Sequence, residues 1–401
     1  RGLKGDHRMM RMEYLRFSSE NGEIFIRRDR ADIIRYVEGV IFDCDGVLID
    51  VRDSYNRAIS KSVSYIFERI TGRDLPENWI SNEIIHLFRR TGGFNNDWDT
   101  VYGILMFMLS HLPKESRKRI YEGVTAKNEG SPFRRLMAIK EYMSKEPCIL
   151  DDALIEEMIK RLRKFTGLLD SSGRRSVDEN LLRIYGRSQD FRKFYSLLRE
   201  FLHGEEKVGK SIIATVFEEF FCGASLFRKV YGISPQFNNG SGLIDNGRLI
   251  IKPETLDSLI SLLGRRNLGI ASGSRRKPAE YILNGLIEKF NSEALIFLDD
   301  VEEAERSLGR CLRKPHPFSL LRASEGLEGS RIIYVGDSVE DVLMAREASR
   351  RNGKFIFAGV YRYTAIEEDA LQAFLEHKCD MILPTVNELP LILEELRRMV
   401  S

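Results

Sequence analysis

The chain has 401 residues, 43% of them hydrophobic and 30% charged, an ordinary composition for a folded soluble protein and more chain than one typical core holds. Its 62 basic and 60 acidic residues nearly cancel, so the whole-chain charge gives no electrostatic case for nucleic acid or a membrane surface. The longest apolar stretch, Gly103 to Leu109, is far too short to span a bilayer, and no signal-peptide pattern precedes the core; the expected location is the cytoplasm.

In chain order, residues 1–37 are an N-terminal extension, locally rich in arginine, with Met12 as a candidate natural start. The alternation in Glu23-Ile24-Phe25-Ile26-Arg27 predicts an edge strand. Gly39 to Phe42 is short and apolar, as a buried parallel strand is, and Gly46 supplies a turn just beyond it. Asp43 and Asp45 therefore stand at a strand tip. Strand side chains two apart point the same way, so one carboxylate can attack while its neighbour handles protons. Two such anions also demand a cation beside them. Taken alone, the same residues equally fit an Asx-rich turn that closes a core strand.

From Asp53 to about Phe237 strand signal is scarce. Amphipathic segments at 53–71, 76–90, 97–112, 132–145, 151–166, 188–203 and 208–231 predict helices, forming an unusually large helical insertion. After Asn238-Asn239-Gly240-Ser241-Gly242 strands and helices alternate. Strands are expected at 268–272, 295–299, 331–336, 354–360 and 381–383, and helices at 253–265, 276–290, 315–326, 339–350 and 387–399. This order predicts an α/β fold: a Rossmann-like, doubly wound parallel sheet core over 38–52 and 245–401, and a large all-α cap domain over 53–244. The crossings near 50–53 and 238–250 are the expected hinges.

Two further apolar runs end in chemistry. Leu268 to Ala271 runs into Ser272-Gly273-Ser274-Arg275, where a hydroxyl and backbone N–H groups can cradle a phosphate. Ile332 to Val335 runs into Gly336-Asp337-Ser338-Val339-Glu340-Asp341, and Lys314 lies between them in Arg313-Lys314-Pro315-His316-Pro317. Ligands of open α/β sheets sit outside the carboxyl ends of strands, so these tips can converge. The common fate of a lysine is a solvated surface position, but two prolines stiffen the loop that carries Lys314. His316 is read as structural. The five cysteines, at 44, 148, 222, 311 and 379, are scattered without CxxC spacing and are read as reduced thiols. Cys44 alternates away from its neighbours into the core, which leaves only its backbone N–H to face a phosphate.

These four elements, DCDGVLID, SGS, RKPHP and GDSVED in this order, resemble motifs I to IV of the haloacid dehalogenase (HAD) superfamily, in subfamily I with a helical C1 cap (phosphoglycolate phosphatase-like or β-phosphoglucomutase-like). The resemblance implies that Asp43 attacks the phosphorus of a monoester to form an aspartyl-phosphate and that Asp45 protonates the leaving group and then deprotonates water. It implies a Mg²⁺ cofactor held by Asp43, the Asp45 carbonyl and Asp337, with Asp341 either orienting water or pairing with Lys314. Lys314, Ser272 and Gly273 would bind the phosphoryl group. The partner expected is a small phosphorylated metabolite, with no nucleic acid and no membrane, the protein being a monomer or homodimer. A phosphotransferase or mutase shares all four motifs, and a non-catalytic binding protein on the same scaffold is the third class. The segment from Arg89 to Asp99, with GGFNNDWD, resembles one recurring in a branch of the same family, which makes Arg89, Asn95 and Asp97 the expected substrate contacts of the cap. Its alternative is a polar helix cap, with Asn95 or Asn96 at the start of the next helix.

Overall fold

A computed structural model describes residues 13–94 and 96–399, so Met12 and Asn95 lie outside the described residues. The chain forms two compact units, one running to Val51 and resuming at Gly247, the other Arg52–Asn246.

The first unit is built on one eight-stranded sheet in the order β1-β2-β10-β9-β8-β3-β6-β7. In chain order these strands are β1 (Tyr14–Ser19), β2 (Gly22–Arg27), β3 (Gly39–Phe42), β6 (Leu268–Ala271), β7 (Leu295–Ile296), β8 (Ile332–Gly336), β9 (Phe355–Val360) and β10 (Met381–Leu383). From β10 to β7 all neighbours are parallel, while the hairpin β1–β2 adds antiparallel to β10. Every residue of β3 is buried. Full burial of side chains such as Val40, Ile41 and Phe42 contributes roughly 1.5–3 kcal/mol each, which fixes this strand at the centre of the sheet. β2 is not the expected edge strand: β1 lies outside it, and Ile24, Phe25 and Ile26 are all buried because both faces are covered. Two short strands, β4 (Ile49–Asp50) and β5 (Arg248–Leu249), pair antiparallel as a ribbon where the chain leaves and re-enters this unit.

The second unit is all helical among its described residues: α2 (Tyr55–Thr71), α3 (Asn82–Arg89), α4 (Asp97–Ser110), α5 (Lys114–Lys127), α6 (Pro132–Lys145), α7 (Asp152–Thr166), α8 (Arg174–Tyr185), α9 (Gln189–His203) and α10 (Ile212–Tyr231), following a short α1 (Ala31–Ile34) in the first unit. Helices α5 and α8 go beyond the sequence expectation. Their apolar stripes are thin: α5 buries Ser116, Ile120, Gly123 and Val124, and α8 buries Ser176, Val177 and Leu181. At Gly123 an added Cβ would stand 2.6 Å from the Ile139 side chain of α6, so close helix packing, not apolar content, places α5.

The first part of the expected hinge at 238–250 is held by the helical unit. The Glu219 carboxylate of α10 accepts backbone N–H groups of Gln236, Phe237 and Asn238, and Ala224 N–H donates to the Gly240 carbonyl at 2.9 Å. Gly223 breaks α10 with φ 71°, and a Cβ there would meet Gly242 N at 2.3 Å, so 236–242 belongs to the helical unit rather than to a free linker.

The remaining helices of the first unit are α11 (Pro253–Leu263), α12 (Arg276–Leu283), α13 (Leu298–Leu308), α14 (Phe318–Glu325), α15 (Val339–Asn352), α16 (Glu367–Glu376) and α17 (Leu389–Arg398). The acidic stretch from Leu298 is helix α13, where the sequence reading continued a strand to residue 299 and placed no helix. Asp299 and Asp300 occupy its first turn, where carboxylates complement the helix dipole, and Asp300 accepts the Phe297 N–H at 2.8 Å.

Candidate active site

The three strands whose tips carry candidate residues are immediate neighbours, β8-β3-β6. Phe42 is in register with Val335 on one side and Ile270 on the other, so Asp43, Gly336 and Ala271 come level, and Ser272 and Asp337 stand one residue further on. Parallel register thus brings together side chains separated by about three hundred residues of chain.

Asp43 is 8% exposed. Its Oδ1 accepts the Cys44 backbone N–H at 2.7 Å and its Oδ2 lies 2.8 Å from Lys314 Nζ. The Cys44 N–H expected to face a phosphate is therefore turned to the carboxylate of Asp43 in this structure. The Cys44 side chain is fully buried, as the alternation argument required, and burial pushes its thiol well up. Lys314 Nζ also donates to Asp341 Oδ1 at 2.8 Å and to Tyr334 Oη at 2.9 Å. Burial works against the ammonium, but Asp341 and Asp43 outweigh it and hold Lys314 well above the ordinary lysine range.

Asp43, Asp337 and Asp341 each offer an oxygen within 4.8 Å of the others. Their environments differ. Asp341 is fully buried, and its second oxygen accepts Ser338 Oγ at 2.7 Å together with the Asp337 and Ser338 N–H groups at 3.2 Å. Burial opposes its charge, yet Lys314, Ser338 and Tyr334 together hold it below the usual carboxylate range. Asp43 is pushed up by burial, with Lys314 only partly restoring it, and Asp337 is pushed well up by desolvation and then by the charges of Asp341 and Asp43. Three carboxylates thus face one ammonium, with burial the main cause of the upward shifts of Asp43 and Asp337 and the neighbouring carboxylates adding to it. The residues present fit a divalent cation bound by oxygen ligands.

Gly46 makes this approach possible. It has φ +75°, and a Cβ added there would stand 2.0 Å from Asp337 Oδ2, so only glycine lets the β3 turn lie against the Asp337 carboxylate.

On the β6 side, Ser272 is 1% exposed, and its hydroxyl donates to Ser274 Oγ at 3.1 Å, which in turn donates to Asp45 Oδ2 at 2.8 Å. Gly273 is exposed and an added Cβ would meet nothing within 4 Å, which leaves its backbone facing open space. Ser274, the last residue of the SGS element, is the residue that joins this loop to Asp45. Tyr334 was missed outright, because a tyrosine within a buried strand reads as core. His316 accepts the Phe318 N–H at 3.2 Å, the structural part expected of it.

The segment from Arg89 to Asp99 is in the helical unit, and three of its charges, Arg89, Asp97 and Asp99, have ion-pair partners within that unit. Arg89 donates to Asp97 Oδ1 at 2.8 Å and to Asn56 Oδ1 at 2.9 Å, and Asp99 pairs with Arg174 at 2.8 Å. Asn96 caps α4 by accepting the Trp98 N–H at 3.1 Å, and a Cβ on Gly93 would meet Gly173 N at 2.4 Å. Asn96 thus supplies the helix cap, and Asn95 lies outside the described residues.

Among the described residues no helix is long and apolar enough to cross a membrane. No curated protein sequence matches the chain. Among solved structures it is similar to an X-ray structure solved as Northeast Structural Genomics Consortium target ZR25, at 19% identity and TM-score 0.62, covering 90% of this chain and 99% of that one. It is also similar to phosphatase Tt82 from Thermococcus thioreducens, at 21% identity and TM-score 0.45, over 83% of this chain and 98% of that one. At such identities the likeness to ZR25 speaks for the fold alone. A family profile described as haloacid dehalogenase-like hydrolase matches residues 37–349, from β3 through most of α15 and across the helical insertion. With three acids, a lysine and a serine loop gathered at adjacent strand tips inside that match, the chain belongs to the haloacid dehalogenase-like hydrolases.

Proposed function

We propose that this hydrolase is a Mg²⁺-dependent phosphatase that cleaves a small phosphorylated metabolite through an aspartyl-phosphate on Asp43. The observation that carries this reading is the gathering of Asp43, Asp337 and Asp341, an oxygen of each within 4.8 Å of the others, around Lys314 at the tip of the central strand. Asp43, Asp337 and the Asp45 backbone carbonyl would hold the cation. When bound, Mg²⁺ supplies positive charge that offsets the developing charge on the phosphoryl oxygens.

The chain's own residues perform the remaining work. Asp43 Oδ attacks phosphorus, and the ester oxygen leaves with a proton from Asp45. Asp45 then takes a proton from the water that attacks the acyl phosphate, which releases inorganic phosphate and restores Asp43. The Ser274 hydroxyl, donating to Asp45 Oδ2, orients that carboxyl for both transfers. Lys314 neutralises Asp43 as the phosphate approaches, and the Ser272 hydroxyl, released from Ser274, would bind phosphoryl oxygens together with the Gly273 N–H. Asp341 serves chiefly as the counter-ion that fixes Lys314, since donors occupy both of its oxygens.

The test is release of inorganic phosphate from a panel of phosphorylated metabolites with Mg²⁺. Asp43→Asn should retain the fold and lose turnover by at least about a thousandfold, the scale on which nucleophile removal acts. Turnover retained by Asp43→Asn would remove Asp43 as nucleophile, and phosphoryl return to the substrate without phosphate release would make the chain a phosphotransferase.

A further inference from the structure

Tyr334 lies on β8 three residues before Asp337, and it is fully buried. Its ring packs among core side chains, near Phe357 at 6.2 Å between centroids. Its hydroxyl, however, reaches the site: it donates to Asp341 Oδ1 at 2.8 Å, and the Ala271 carbonyl at the end of β6 is 3.3 Å away.

The ammonium of Lys314 has three protons and, in this structure, three acceptors: Asp43 Oδ2, Asp341 Oδ1 and Tyr334 Oη, all between 2.8 and 2.9 Å. Two carboxylates alone leave one N–H unmatched. The tyrosine oxygen takes that third proton, while its own proton goes to the same Asp341 oxygen that Lys314 contacts. Lys314, Tyr334 and Asp341 thus form a closed triangle. Its position is set by β8, one of the strands that carries the site, rather than by the loop on which Lys314 rides.

We infer that Tyr334 is a positioning residue for the phosphoryl-transfer reaction, acting through Lys314 by holding its ammonium against Asp43. This inference rests on the phosphatase reading above. Tyr334→Phe keeps the ring in the core and removes only the oxygen. The lysine then loses one of three anchors, and its charge is no longer fixed on the line between Asp43 and the incoming phosphoryl group.

The experiment uses the full chain with Mg²⁺, p-nitrophenyl phosphate as a generic monoester, and orthovanadate as a probe of the phosphoryl site. Tyr334→Phe is expected to lower kcat by about 10–100-fold with KM changed less than about threefold, the scale on which supporting partners of a charged site act. Loss of folded protein would mimic a fall in kcat, so the deciding measurement is a double-mutant cycle on orthovanadate affinity, which depends on the site and not on the folded fraction. Tyr334→Phe and Lys314→Met should each weaken vanadate, and adding Tyr334→Phe to Lys314→Met should change affinity less than twofold. Wild-type kcat in Tyr334→Phe, or an effect on vanadate that persists in full on the Lys314→Met background, overturns the inference. Failure of the parent reading is separately visible, as absent wild-type turnover or turnover that survives Asp43→Asn.

Discussion

At the scale of single residues, the site depends on small groups that let large charges approach. Gly46 is the clearest case, because both its φ of +75° and the 2.0 Å approach of Asp337 Oδ2 exclude a side chain. Gly46→Ala should cost about 1–2 kcal/mol for the left-handed backbone. It should also displace the Asp337 carboxylate and raise the Mg²⁺ concentration for half-maximal activity by at least about tenfold. An unchanged Mg²⁺ requirement would show that Asp337 does not contribute to the cation. The acids also divide their duties through their surroundings. Asp341, ringed by donors, stays ionised and pairs with Lys314, whereas burial first and neighbouring carboxylates second push Asp43 and Asp337 up.

At the scale of elements, helix α13 turns an acidic run into a brace. Glu302 pairs with Arg275, just after the Ser272 loop, at 3.2 Å and with Arg313, just before Lys314, at 3.2 Å. Glu305 adds a bond to Arg313 at 3.3 Å and accepts the Leu312 N–H at 2.8 Å. Each exposed pair contributes little, but together they tie the loops that carry Ser272 and Lys314 to one helix. In the helical unit, α9 ends on a buried histidine. His203 Nδ1 meets Ser211 Oγ at 2.5 Å, its Nε2 has no hydrogen-bond partner, and burial followed by the Arg174 charge lowers its pKa to about 4. A histidine held neutral contributes its full share of stability above the unfolded-state pKa near 6.5 and loses it as the pH falls toward the folded value. Acidification from pH 6.5 to 4 should therefore destabilise the helical unit by roughly 3 kcal/mol at most, and His203→Phe should flatten that part of the profile. Equal slopes in the two proteins would assign the acid sensitivity to other groups.

At the scale of the whole molecule, the two compact units give two places for stability to respond. All of the acid cluster is in the sheet unit, so a cation bound there should stabilise that unit by about 2.7 kcal/mol when Mg²⁺ is at a hundred times its dissociation constant, and raise its melting temperature accordingly. Calorimetry should show a Mg²⁺-dependent shift that Asp337→Asn removes, while the His203-linked acid response persists in that variant. A Mg²⁺ shift of equal size in Asp337→Asn would place the ion elsewhere.

The alternation of core strands and helices, the helical insertion and the polar residues Asp43, Ser272 and Asp337 at strand ends were legible in the chain, because apolar periodicity and residue chemistry at strand ends are local properties. Helices α5 and α8 were not legible, since their thin apolar stripes become sufficient only when neighbouring helices pack against them. Nor were the pairing of Arg89 with Asp97, the anchoring of 236–242 by Glu219, or the oxygens of Tyr334 and Ser274 at the site. Each of these depends on which side chain meets which across tens to hundreds of residues. The sequence by itself determined what groups the strand tips carry; sheet register and close packing decided which of those groups share a proton or a charge.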